Sequence, residues 1–445
     1  MSTIAPLRTW RSTLARLAAL LAVCAPLASP AAEATDALAL PEAVALAVGR
    51  SGQLAALQAQ NDAARETAVA AGRRPDPVLK LGVSNLPVDG NMAWSLTRDF
   101  MTMRNIGLMQ EFPRADKRAA MSARALAEGE VFAAARQLRA AELQRDTALA
   151  WLDASMQASL RGLLQAQRAE AELQVQATEA VVRGGRGAPA DLFSARGEVA
   201  LLDDRLDQVQ REIDLAATRL ARWIGDAARR PPAPRPEFAL PDWAASSDDA
   251  HALDPHLAAH PTLQLADRQQ ALAAAGVRLA RTRREADWSV ELMFSQRGQA
   301  FSNMVSLNFA LPLPWDRANK QDRELAAAQA QADAATAERE DQARAHLGEV
   351  RAMLVEWRSH RARLARFDRT LLPLAQQREQ AALGAYRGGG GTLAEVLAAR
   401  RAALALQVDR LEIEIALARR WAQLSTVAGP AELATMTPEA PRSPR

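Results

Sequence analysis

Few side chains in this sequence have the type and spacing that chemistry requires. Of its five histidines, His256 and His260 stand four apart, the helical spacing that lets two imidazoles share a metal ion. They flank a helix start at Pro261, where a pair of solvated linker histidines is the plainer reading. His346 and His360 stand alone in a long helical pattern. Met92, Met101, Met103 and Met109 fall within eighteen residues. Thioethers suit soft ions such as copper(I) or silver, although Met also fills irregular apolar surface. Neither a Ser/His/Asp set nor a pair of catalytic carboxylates is apparent, so no enzyme activity and no cofactor are expected. Two Gly-rich segments lack Gly-Lys-Ser/Thr, and each follows a helix instead of a strand, which excludes phosphate loops.

Those Gly-rich segments are copies of each other. Val181–Arg196 reads VVRGGRGAPADLFSAR and Ala385–Arg400 reads AYRGGGGTLAEVLAAR, with Arg183 and Arg387 standing 204 positions apart. At the same offset Gly184 and Gly185 match Gly388 and Gly389, Asp191 matches Glu395, Leu192 matches Val396, and Arg196 matches Arg400. An Ala-rich segment precedes each copy and an apolar repeat follows it. Both therefore read as tight turns between long helices, and the chain is one unit written twice.

Composition agrees. The chain is 49% hydrophobic with one Tyr and nine Phe, an Ala- and Leu-rich balance that favours long helices over bulky cores. Net charge is +3 from 55 basic and 52 acidic residues. Such interspersed charge lacks the clustered Lys/Arg of a nucleic-acid surface, so no nucleic-acid partner is expected. Arg8, Arg11 and Arg16 precede the apolar run Leu17–Leu27 and the small residues Ala28–Ala34, the order of a secretory signal peptide cleaved after Ala31 or Ala34. The one cysteine, Cys24, lies inside it. Either it is lipidated, with Val23 a poor neighbour for that, or the signal is simply cleaved. Beyond it no apolar run reaches the roughly 18 residues of a membrane helix.

The elements then follow in order. Leu40–Ala71 reads as a helix stopped at Pro75 and Pro77. Leu79, Leu81 and Val83 alternate with Lys80, Gly82 and Ser84 in a strand. A loop over Asn85–Phe100 leads to a second strand, roughly Arg104–Phe112. From Arg114 to Arg183 there is no Pro, and a helix of about 70 residues spans about 100 Å. The return helix places Leu192, Val199, Leu206, Ile213 and Leu220 at seven-residue steps, with Ala195, Leu202, Val209, Ala216 and Trp223 between, a coiled-coil pattern. It stops at Gly225. The second half repeats the order: a helix from Pro261, strands around Val290–Phe294 and Val305–Leu311, a helix from about Asn319 to Tyr386, the second tip, and a last helix toward Gly429. Residues 1–34 are thus signal peptide, 35–230 the first repeat, 231–254 a linker, 255–429 the second repeat and 430–445 a disordered tail.

Strands of nine or ten residues with one apolar face have the length that spans an outer membrane. Four strands cannot close a barrel, and open edges are not tolerated in hydrocarbon. The expected fold is therefore mainly α with a small β part. Three chains contribute four strands each to a twelve-stranded transmembrane β-barrel, continued by a long coiled-coil helical barrel. A soluble periplasmic coiled-coil scaffold without a pore is the competing class.

The sequence resembles the TolC-type outer-membrane efflux family. The matching residues are Leu40-Pro41-Glu42-Ala43-Val44, His260-Pro261-Thr262-Leu263, Glu111-Phe112-Pro113, Leu313-Pro314-Trp315 and both Gly-rich tips. The stretch Asn85–Phe112 is most similar to the heavy-metal (CzcC- and CusC-like) branch. The resemblance implies a homotrimer in the outer membrane of a Gram-negative bacterium, its helices in the periplasm. It also implies a periplasmic adaptor (membrane fusion protein) docked at the tips and an inner-membrane pump of the RND type that supplies the energy. The docking residues would be Arg183, Gly184, Gly185, Gly187, Leu192, Arg196, Arg387, Gly388, Gly389, Val396 and Arg400. Carboxylates just after the second tip narrow the entrance in this family, which points to Glu395, with Asp191 as its repeat mate. Ala398, one turn on, lacks the second carboxylate that relatives carry. Three Glu395 carboxylates would form a cation-selecting ring; the alternative is an acid stabilised by a helix start. The implied cargo is heavy-metal cations (Cu/Ag or Co/Zn/Cd), with Met92, Met101 and Met103 as the thioether candidates, or else drugs or organic solutes.

Overall fold

The computed structural model describes residues 37–185, 187–240, 244 and 258–427. The signal segment with Cys24, His256 and the tail lie outside the described residues.

Helices dominate. α1 (Leu40–Arg50) and α2 (Gly52–Ala71) open the chain, followed by strands β1 (Val78–Ser84) and β2 (Met103–Phe112). Then come α3 (Ala115–Arg183), α4 (Pro189–Ile224) and a 3-10 turn at Gly225–Arg229. The second half runs α5 (Pro261–Thr282), β3 (Trp288–Gln296), β4 (Met304–Ala310) and α6 (Gln321–Arg366). It ends with a π turn (Phe367–Leu371), α7 (Leu372–Arg387) and α8 (Leu393–Ser425). At 1.5 Å per residue, the 69 residues of α3 extend about 100 Å.

The heptad reading of α4 agrees with its burial. Ala195, Val209, Ala216 and Leu220 are buried, Leu202, Leu206, Ile213 and Trp223 are half-buried, and residues between them such as Leu201 and Leu215 face outward. α4 packs along α3, and α8 packs along α3 from the second hairpin. Ion pairs stitch the two hairpins: Arg419 to Asp153 at 2.8 Å, with Arg401–Glu198 and Arg205–Glu412 beside them.

Two boundaries differ from the sequence pattern. The first helix is not continuous, because Ser51 leaves helical geometry and its Oγ accepts the Leu54 N–H at 3.3 Å, capping α2. The helix approaching the second tip is interrupted by the π turn. Pro373 has no N–H to donate and its ring crowds the carbonyl one turn back, so a widened turn accommodates it. Arg410 of α8 braces this turn through Asp368 at 2.6 Å.

Two tryptophans anchor the middle of the molecule. Trp151 of α3 and Trp421 of α8 are fully buried, and their indole N–H groups donate to the carbonyls of Leu38 (2.9 Å) and Ala239 (2.8 Å). Leu38 also forms a parallel bridge with Pro232. Glu42 in α1 holds Arg230 at 2.6 Å, and this hydrogen bond keeps its carboxyl below the ordinary carboxylate range. The extended segments at both repeat boundaries are thus clamped onto the long helices.

Trp151→Ala should cost about 3–5 kcal/mol, the usual cost of deleting a large core aromatic. Trp151→Phe should cost about 0.5–1.5 kcal/mol, because it removes one hydrogen bond while the Leu38 carbonyl keeps the Ala233 N–H at 2.9 Å. Denaturant unfolding in detergent, followed by helical circular dichroism, measures both.

Candidate functional site

The four strands form one antiparallel sheet in the order β1-β2-β3-β4. The β2–β3 pairing, Arg104↔Gln296 through Phe112↔Trp288, joins the two repeats. The outer strands are shorter than expected, at seven residues each. Each pairs on one side only and is bounded by a proline, Pro77 before β1 and Pro312 after β4, which cannot extend a ladder.

Register sorts the sheet into two faces. Leu79, Leu81, Ile106, Leu108, Leu292, Phe294, Val305, Leu307 and Phe309 share one face, and all are exposed. Leu81 is 70% and Leu307 72% accessible. Large contiguous exposed apolar surfaces of this kind mark protein or membrane contact sites. At one end of it Phe112, Trp288 and Phe309 stack across three strands, with centroids 4.2 Å and 5.6 Å apart. Trp315 just beyond is 89% exposed. Aromatic rings at the end of an apolar band have the chemistry of a lipid–water boundary.

The opposite face is polar. Lys80 and Glu291 pair across it at 2.9 Å, and Asn105 donates to the Ser84 hydroxyl at 2.9 Å. The sheet's four methionines, Met103, Met109, Met293 and Met304, all lie on this polar face and none on the apolar one. Of the thioether candidates, Met103 therefore begins a strand, whereas Met92 and Met101 are exposed in the preceding loop. Met293 and Met304 lie in the second half of the chain and join this face only through the strand register. Among the described residues, no group of three or more His, Cys, Asp and Glu side chains stands where a metal ion could be held. No described helix is long and apolar enough to cross a membrane.

At the far end are the two tips. Gly185 (φ 70°) and Gly389 (φ 79°) occupy left-handed backbone, which ends each helix without the penalty that a side chain brings. Their N–H groups donate to Val182 and Tyr386 carbonyls at 3.0 and 3.1 Å, and those of Gly184 and Gly388 reach back to Ala180 and Gly384. Arg183, Gly184, Gly185, Asp191, Arg196, Arg387, Gly388 and Gly389 are exposed at these ends, while Gly187 and Leu192 are half-buried. Of the positions matched to them, Val396 is buried, and Arg400, half-exposed, bridges Glu379 (3.0 Å) and Glu170 (3.3 Å), tying α7 and α3 together. Glu395 is exposed and closes a capping box: its carboxylate accepts the Thr392 N–H at 2.8 Å, and its own N–H donates to the Thr392 hydroxyl. At the corresponding place Ala188 offers no side-chain cap, so Asp191 sits in the first turn of α4 without a box.

Between sheet and tips lies a cluster that the sequence pattern misplaced. His260 is not a solvated linker residue, and His346 does not stand alone. Their rings stack with centroids 4.2 Å apart at the wall of a cavity of about 430 Å³. His260 Nδ1 accepts the Thr262 N–H at 3.3 Å and caps α5. His346 is buried, and its Nε2 has no hydrogen-bond partner. Burial, then the neighbouring His346 and Arg145, push His260 down to about 4. Burial lowers His346 as well, against the pull of Glu349. Both rings are neutral near pH 7.

The sequence matches no protein-family model and no curated protein. The fold does have matches among solved structures. It is similar to the outer-membrane channel OprN (19% identity, TM-score 0.72, covering 88% of this chain and 90% of that one). It is also similar to CusC, whose structures describe transmembrane channel formation (18%, 0.68, 88% and 92%). A third is the outer membrane protein VceC of Vibrio cholerae (18%, 0.66, 88% and 96%). The chain thus has the outer-membrane channel fold over nearly its whole described length.

The two sheet faces should respond oppositely to charge. Leu307→Arg should destabilise the lipid-embedded protein by about 2–4 kcal/mol if its position is near the bilayer middle. Ser306→Arg, next in sequence and on the other face, should stay within about 0.5 kcal/mol. Heat-modifiable electrophoretic migration of the membrane-extracted protein reads both.

Proposed function

We propose that this chain is an outer-membrane efflux duct of the TolC type, and that it is not an enzyme. Three chains place their four-stranded sheets edge to edge as a twelve-stranded barrel, and their helices continue it as a periplasmic tube. A periplasmic adaptor docks at the exposed tips, and an inner-membrane pump of the RND type supplies the energy. The observation that carries the reading is the sheet itself: one exposed face carrying nine large apolar side chains, an opposite face with the Lys80–Glu291 pair, and two edges unpaired within the chain, joined to a helix of about 100 Å. A periplasmic scaffold without a pore has no use for such a face. The similarity of fold to three outer-membrane proteins supports the same conclusion.

For the cargo we propose heavy-metal cations. Support comes from the likeness of Asn85–Phe112 to metal-type ducts and from the placement of all four sheet methionines on the face that would line the lumen. Thioethers there favour the soft end of the metal series, Cu(I) and Ag(I). Drugs or organic solutes are the other cargo class that such a duct serves. The signal segment fits delivery to the outer membrane. Glu395 is proposed to form the entrance ring in the trimer, in addition to capping α8.

Single-channel recording in a planar bilayer tests the duct. Discrete cation-preferring pores are expected, and their absence from folded, oligomeric protein with an opened tip would contradict it. Glu395→Gln separates ring from cap, because glutamine still accepts the Thr392 N–H while its charge is gone. Cation preference should fall while thermal stability stays within about 0.5 kcal/mol. Unchanged selectivity would remove Glu395 from the entrance.

A further inference from the structure

The stacked histidines sit where three parts of the molecule meet. α5 begins at Pro261 with His260 as its cap, α6 supplies His346, and the end of α8 supplies Gln423, Thr426 and Val427 to the same cavity. α3 completes the wall with Leu138, Ala141, Glu142 and Arg145. The equivalent start in the first repeat, α2, is capped by the hydroxyl of Ser51. One repeat thus uses a cap that does not titrate and the other uses one that does.

We propose that His260 is a proton-operated joint: neutral, it caps the start of α5 and holds it stacked on α6, and protonated, it releases that start. The argument is geometric. The Thr262 N–H is accepted by the lone pair on Nδ1, and an imidazolium has no lone pair on either nitrogen. Protonation therefore deletes the cap and replaces it with a donor aimed at a donor. It also places a positive charge at a helix N-terminus, where the backbone already presents positive partial charge. The ring has a second imidazole stacked on it at 4.2 Å, so turning out of the cap also means leaving that stack.

The surrounding charges do not rescue the imidazolium. On α3, Arg145 opposes it, and Glu142 is engaged with Arg139 at 2.8 Å. On α6, Glu349 acts on His346, and Glu356 is paired with Arg420 of α8. The sign of the linkage follows. A histidine whose folded value lies below its unfolded value of about 6.5 contributes full stability above pH 6.5 and loses it as pH falls toward about 4. Opening of the joint should rise about tenfold per pH unit over that window, reaching about 300-fold at its lower end. On the duct reading proposed above, the helices stand in the periplasm, which is open to small solutes, so an acid exterior reaches this joint.

Hydrogen exchange of the full chain in detergent, measured from pH 7.5 to 4.5 and corrected for intrinsic rates, decides it. Amides at the start of α5 should lose protection by about tenfold per unit below pH 6.5, while those at the start of α2 stay flat. His260→Ser and His260→Asn keep a cap without a titrating group, and each should abolish the pH dependence at α5. A flat wild-type profile would overturn the proposal, as would variants that remain as steep as wild type. Parallel loss at α2 and α5 would overturn it too, since that is general acid unfolding.

Discussion

Backbone hydrogen bonding at the sheet edges governs this molecule. β1 and β4 each satisfy one side of their ladders within the chain and leave the other side open. In water such edges invite aggregation, and in hydrocarbon each unpaired N–H or C=O costs several kcal/mol. The nine large apolar side chains on the sheet's outer face make water the wrong solvent for it. Lipid is the solvent that suits the face, and closure with other copies is the arrangement proposed for the edges.

Each half of the chain supplies the same order of elements, two strands followed by a long helical hairpin. The differences between the copies are then informative. The first ascending helix, α3, runs unbroken for 69 residues, whereas its counterpart is split by the π turn ahead of Pro373 and braced by Arg410. The second tip carries a capping box and the first does not. α5 starts on a histidine cap and α2 on a serine cap. Variation is concentrated in the second copy, where helix ends and a bend replace uniform rod.

Much of this was legible from residue order. Period-two alternation in Leu79–Ser84 and Val290–Ser295, heptads from Leu192 to Leu220, and Gly pairs after Arg183 and Arg387 are local signals, and each element they predict is present. What escaped depends on contacts between distant segments. Ser51 interrupts a smooth apolar pattern through backbone capping, which periodicity does not register. His260 and His346 are separated by 86 positions, so their stacking exists only after α5 folds back on α6. The bridging role of Arg400 is not legible in sequence, because its partners Glu170 and Glu379 lie on other helices. The polar-face placement of Met293 and Met304 needed the register between strands, not the strands themselves.

The central claim is that one chain holds a third of a barrel and cannot satisfy its sheet alone. Native mass measurement of the protein extracted from membranes in mild detergent tests it most directly. The account predicts a single species of three chains that survives dilution and dissociates only as the barrel unfolds. A folded monomer in detergent, with all helices intact and the sheet edges open, would contradict it.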